Sequence, residues 1–144
     1  MKISVVCFQK NRHAELEAAE GEYLKRLAAR ARVEVHSIAR WKDGDGVPER
    51  LCKGAHVVGL YVGGKQYTSE KLAQHLQDLM NQGRSHLVLV IGAAEGMPAG
   101  VERQVQERWS LSPLTFSHQL ARLLVLEALY RSFDILGGGR YHKA

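Results

Sequence analysis

Three short segments of this sequence combine glycine or small polar residues with apolar neighbours and little charge. They are Leu60-Tyr61-Val62-Gly63-Gly64-Lys65, Ile91-Gly92-Ala93-Ala94-Glu95-Gly96 and Leu111-Ser112-Pro113-Leu114-Thr115-Phe116. Glycine lets a main chain approach a ligand closely and offer amide donors with no side chain in the way. Each segment is also compatible with a plain turn. No glycine run is followed by Lys-Ser or Lys-Thr, and no G-x-G-x-x-G opens a helix after a strand-like run, which disfavours phosphate-rich cofactors. The ligand class left is an adenosine-like group held by main-chain atoms and apolar side chains. Cys7 and Cys52 stand far apart and no zinc-type spacing exists, so they read as buried small hydrophobes and no metal is expected.

These residues need a scaffold, and the apolar pattern supplies one. Extended runs at 2–7, 33–38, 56–62 and 87–91 alternate with helical runs at 13–30, 69–81 and 99–107. A short extended piece at 111–116 and a long helix at 118–133 follow. Such alternation, with strands rich in Val, Leu and Ile, predicts the α/β class: a mostly parallel sheet with helices on both faces. In that class ligands sit beyond the carboxyl ends of the strands, where the three segments fall. A length of 144 residues suits one domain, 1–144.

No apolar run nears twenty residues, so no membrane span is expected. The start reads as the first strand of a cytoplasmic protein, since Gln9-Lys10-Asn11-Arg12 follows it in place of a cleavage site. Lys and Arg outnumber Asp and Glu by 20 to 15, a net charge of +5, which favours a polyanionic partner. Lys25, Arg26, Arg30, Arg32, Arg40 and Lys42 form the best candidate phosphate-contacting group, although any one of them also suits a helix C-terminus. The final helix is apolar nearly all round, which predicts burial by the sheet on one side and a second subunit on the other. Arg122 within it needs a partner or an anion. Glu127 and Arg131, four apart, are spaced to pair with each other.

The combination of Ile91-Gly92-x-x-Glu95-Gly96, Leu111-Ser112 through Leu114-Thr115-Phe116, His118, Arg122, Glu127, Tyr130-Arg131 and the ending Tyr141-His142-Lys143 resembles a known family. It is that of the bacterial large-subunit rRNA methyltransferases that modify N3 of a pseudouridine, within the SPOUT superfamily. The resemblance extends to Gly64-Lys65 and to Glu22-Tyr23-x-x-Arg26-Leu27, so it covers nearly the whole chain. It implies a SPOUT-type α/β knot, with the C-terminal helix tucked through the loop that holds the cofactor. It also implies a homodimer that uses S-adenosyl-L-methionine and acts on 23S rRNA in the large ribosomal subunit or the 70S ribosome. The cofactor pocket it implies is lined by Leu60, Gly92, Leu111, Ser112, Pro113, Leu114, Thr115 and Phe116.

The N3 imide must lose its proton before it attacks a sulfonium methyl; the titratable candidates in the matched positions are His118, Glu127, Tyr141 and His142, with the tail pair His142 and Tyr141 first and His118 behind them. Alignment of donor and acceptor is the alternative source of rate. Arg26, Arg30, Arg122, Arg140 and Lys143 are the expected RNA contacts. Ala93 stands where the family usually has a second glycine, and Arg140 where many members have proline. A methyl group at 93 fits only a negative φ. Two other functions stay open: a non-catalytic RNA- or ribosome-binding protein of the same fold, and a SPOUT methyltransferase acting on another RNA nucleoside.

Overall fold

The strands gather into one five-stranded sheet in the computed structural model, which describes residues 1–143. In chain order the elements are β1 (Lys2–Phe8), α1 (Ala14–Leu27), β2 (Arg32–Ile38), α2 (Glu49–Cys52), β3 (His56–Gln66), α3 (Ser69–Asn81), β4 (His86–Ile91), α4 (Ala99–Glu102), β5 (Glu107–Ser110) and α5 (His118–Leu136). The strand order is β2-β1-β4-β3-β5, and every neighbouring pair is parallel. β1 and β4 lie inside and are buried almost throughout, which explains their unbroken Val/Ile/Leu character.

Alternate residues of the inner strands face opposite sides. Ile3, Val5, Leu87 and Leu89 pack against α1, α3 and α5 through Leu27, Leu76, Leu126 and Leu129. Val6, Phe8, Val88 and Val90 pack on Val47, Val57 and Val101, with Trp41 and Leu51 at the margin. The three long helices thus share one face, and the other is covered by the single-turn α2 and α4 with the 39–48 loop. Helices therefore lie on both faces as expected, with the long ones all on one side.

Two boundaries differ. The expected helix over 99–107 stops after one turn. Its continuation is drawn into extended pairing: the Gln104 side chain hydrogen-bonds both main-chain groups of Val47, and Gln106 N–H donates to Val57 O. The last strand accordingly comes earlier than 111–116, at Glu107–Ser110, and 111–117 is a loop.

Glu20 lies on the buried stripe of α1, seven residues before Leu27, and pairs there with Arg122 of α5. Arg122 also donates to Gln9 Oε1 (3.2 Å) and Ser37 Oγ (2.8 Å), so one guanidinium ties α5 to α1, β2 and the segment after β1. Burial pushes the Glu20 carboxyl up despite that partner, and it pushes the nearby Cys7 thiol to about 12. Removing one member of a buried pair strands the other. Arg122→Ala should therefore cost about 3–5 kcal/mol in a denaturant melt, with Arg122→Ala/Glu20→Ala less damaging than the single change.

Candidate active site

The carboxyl ends of β4, β3 and β5 are adjacent in the sheet and open onto one cavity of about 670 Å³. β3 supplies Leu60, Tyr61 and Val62 to its wall, the turn after β4 supplies Ile91 to Ala94 with Gly96 and Met97, and the loop after β5 supplies most of the rest. Of the residues expected to line a cofactor pocket, Leu60, Gly92, Leu111, Ser112, Leu114, Thr115 and Phe116 do border it; Pro113 does not. The first glycine segment is not a free loop. β3 runs through it with a register shift between Leu60 and Lys65, and Gly64 comes so near β5 that an added Cβ would sit 2.6 Å from the Trp109 carbonyl carbon.

The turn after β4 is closed by reciprocal main-chain bonds, Ala93 N–H to Gly96 O (3.1 Å) and Gly96 N–H to Ala93 O (2.9 Å). Gly96 carries φ +111°, while no described residue other than glycine has a positive φ, so the methyl of Ala93 is accommodated without strain. At Gly92 the constraint is space: a Cβ there would lie 3.0 Å from the main chain of Gly96 and Met97. The 111–117 loop is also locally fixed. Ser110 Oγ donates to Ser112 O (2.9 Å), Leu114 N–H donates to Ser112 Oγ (3.0 Å), and Ser117 caps α5 by accepting from Leu120 N–H. His118, at the start of α5, borders the cavity, and burial lowers its pKa, which keeps the ring neutral at neutral pH.

Beside this cavity is a second of about 180 Å³ that shares Leu60, Ser110 and Leu111 with it. Its other walls are Tyr67 to Ser69, Leu72 and Trp109, with Glu127, Ala128, Arg131 and Ser132 of α5. The tail meets α5 at these same residues. Tyr141 O–H donates to Glu127 Oε1 (3.0 Å), and its ring lies 4.7 Å from that of Tyr130. Arg131 donates to Glu127 Oε1 from Nη2 (2.7 Å) and to His142 Nδ1 from Nη1 (2.9 Å). With Nδ1 accepting, His142 carries its proton on Nε2 and donates to Glu70 Oε1 at 2.8 Å. Both ring nitrogens are engaged, so His142 has no lone pair left for a substrate proton in this arrangement. The Tyr141 phenol is pushed up by Tyr23, burial and Glu127, and stays protonated. Glu127 differs: Oε1 collects every hydrogen bond, and Oε2 accepts none among the described residues.

The expected RNA contacts fare unequally. Arg122 is buried and internally paired, so it cannot reach an RNA phosphate, which corrects the expectation. Arg26 pairs with Glu22 (3.1 Å), and Arg30 reaches Asp134 (3.4 Å) and Phe133 O (3.3 Å) at the end of α5. Arg140 and Lys143 are exposed and make no ion pair among the described residues. Beneath the smaller cavity, Glu107 receives His56, His75 (2.7 Å) and Trp109 Nε1 (3.1 Å), and Tyr67 stacks on His75. Burial opposes ionisation of Glu107, but these donors hold its pKa below the ordinary value. Nothing in the spacing of these residues announces the cluster, because it is assembled across β3, α3 and β5. Glu20 was also missed, although its spacing, four residues after Leu16 and seven before Leu27, places it on the buried stripe of α1.

A family profile described as a predicted SPOUT methyltransferase matches residues 1–142. The chain belongs to the SPOUT methyltransferase family. Its full-length relatives include the ribosomal RNA large subunit methyltransferase H of Gloeobacter violaceus, 40% identical with 99% of each chain covered. That of Bacillus pumilus is 33% identical, with 99% of this chain and 100% of the relative covered. Among solved structures, a probable methylase family protein from Haemophilus influenzae Rd KW20 superposes with a TM-score of 0.60 at 9% identity, over 99% of this chain and 70% of the other. At that identity the superposition speaks for the fold alone. In this SPOUT methyltransferase no group of three or more His, Cys, Asp or Glu able to hold a metal exists among the described residues. No described helix is long and apolar enough to cross a membrane.

Proposed function

We propose that this SPOUT methyltransferase uses S-adenosyl-L-methionine to methylate N3 of a pseudouridine in 23S rRNA, in the cytoplasm. The observation that carries the reading is the pair of adjoining cavities, one large and walled by main chain and apolar groups, one small and bordered by a carboxylate. The first fits an adenosine and a methionine chain: it has a volume in the usual range for small-molecule sites, and Gly92 leaves the main chain of its turn bare. The names of the full-length relatives support the rRNA substrate.

The cofactor supplies an electrophilic methyl group on a sulfonium, and the chain's residues do the rest. Leu60, Ser110 and Leu111 border both cavities, so an acceptor ring in the smaller one meets the larger at their shared wall. Glu127 Oε2 is the free acceptor there, and it takes the N3 proton while Arg131 and Tyr141 hold the other oxygen. Tyr141 and His142 then act as positioning residues, clamping the tail onto α5 and α3, and His118 is a neutral polar group at the cofactor wall.

The knot implied by the family would thread α5 through the loop it follows. A second copy would cover the apolar rim around the larger cavity, where Leu114 is 70% and Leu120 37% exposed. Calorimetric titration with S-adenosylmethionine and with its demethylated product tests the cofactor assignment. Saturable one-to-one binding per chain is expected, and heat of dilution alone for both compounds would overturn it.

A further inference from the structure

Of the cations read from the sequence as the RNA surface, those at and just after the end of α1 are largely neutralised. Arg26, Arg30 and Arg32 are each within 3.4 Å of a carboxylate oxygen, on Glu22, Asp134 and Glu34. The opposite edge of the sheet is different. There β5 is the edge strand of the sheet, its outer side unpaired. Arg108 projects from it and Lys65 from the irregular end of β3 alongside, both exposed and neither in an ion pair among the described residues.

Each of these cations sits over an aromatic ring. The Arg108 guanidinium is 4.4 Å from the Tyr61 centroid, and Lys65 Nζ is 5.0 Å from that of Tyr67. Glu102, the carboxylate whose charge reaches the Tyr61 hydroxyl, pairs with neither cation. Only stacking and packing hold the Tyr61 ring, because its hydroxyl is buried and hydrogen-bonds to nothing described. Tyr61 borders the larger cavity and Tyr67 the smaller, so the strip of rings and cations runs along both compartments of the proposed reaction.

Resting on the rRNA reading above, we propose that the β3–β5 edge, through Arg108, Lys65, Tyr61 and Tyr67, binds the single-stranded RNA that flanks the acceptor nucleotide. Unpaired cations give the phosphate attraction that paired ones cannot. An unpaired base, which a duplex would not offer, can stack on the Arg108 guanidinium that Tyr61 supports, while Tyr67, covered by His75 and Lys65, fixes the Lys65 charge alongside. An acidic protein surface would use the charges but gain nothing from a guanidinium able to stack on a base.

The test is fluorescence anisotropy with a labelled single-stranded 20-nucleotide RNA, comparing wild type, Arg108→Ala/Lys65→Ala and, as a control, Lys25→Ala/Arg26→Ala. The edge variant should lose affinity on the order of tenfold and flatten the dependence of log affinity on log salt by about 1.4, roughly 0.7 for each lost phosphate contact. The α1 control should change less than about twofold. All the substituted side chains are exposed, so melting and cofactor calorimetry should be unchanged in both variants. An edge variant that binds like wild type, or a larger loss in the α1 control, would overturn the assignment. So would a wild-type protein that methylates ribosomes yet does not bind this RNA, and that outcome would leave the methyltransferase reading standing.

Discussion

Gly92→Val should lower affinity for S-adenosylmethionine on the order of a hundredfold while the sheet still folds. The first added carbon already lies 3.0 Å from three main-chain atoms of Gly96 and Met97, and main chain cannot rotate aside as a side-chain tip can. Valine adds two further methyl groups beyond that carbon. The turn must open, breaking the reciprocal bonds between Ala93 and Gly96 and displacing the wall of the larger cavity. Overpacking of this kind costs about 1–3 kcal/mol, which leaves a folded protein with a deformed site. Gly92→Ala should fall between the two. Calorimetry for affinity and a thermal melt for folding separate the effects, and a valine variant with wild-type affinity would remove this turn from the cofactor site.

The second large effect is expected at Glu127. Glu127→Gln keeps an oxygen to accept from Arg131 and Tyr141, so the tail stays clamped, but it removes the free carboxylate oxygen that takes the imide proton. Turnover should fall by about 10²–10³, the usual worth of a positioned general base, with cofactor affinity unchanged. His142→Ala should act differently. It releases the contacts to Glu70 and Arg131, loosening the tail, so KM should rise and kcat fall by no more than about tenfold. Full turnover in Glu127→Gln together with a dead His142→Ala would return the proton-acceptor role to the tail.

The strand-end segments were legible in the sequence because two local rules coincide there: Val/Ile/Leu runs mark strands, and glycine with small polar residues marks where they stop. Gly92 and the 111–116 loop border the cavity for that reason. The β3 segment misled because its two glycines permit an irregular strand as readily as a turn, and the choice between them was made by pairing with β5, a contact between distant residues. The short β5 was misplaced for a related reason, since Gln104 and Gln106 are ordinary helix formers until Val47 and Val57 claim them. Charge was the hardest property to read. Arg122 was legible as needing a partner or an anion, but only the buried Glu20 on α1 shows that the partner is internal. Glu127 was legible as the partner of Arg131, but its second oxygen has meaning only once the smaller cavity is in view.

The most direct test of the account is nucleoside mass spectrometry of 23S rRNA, with ribosomes from a strain lacking the gene treated with purified protein and S-adenosylmethionine. The account predicts that the deletion removes one methyl group from one pseudouridine and that the treatment restores it at N3. Rather than a change in magnitude, an identical nucleoside profile with and without the gene, or a methyl group restored to a different nucleoside, would contradict it.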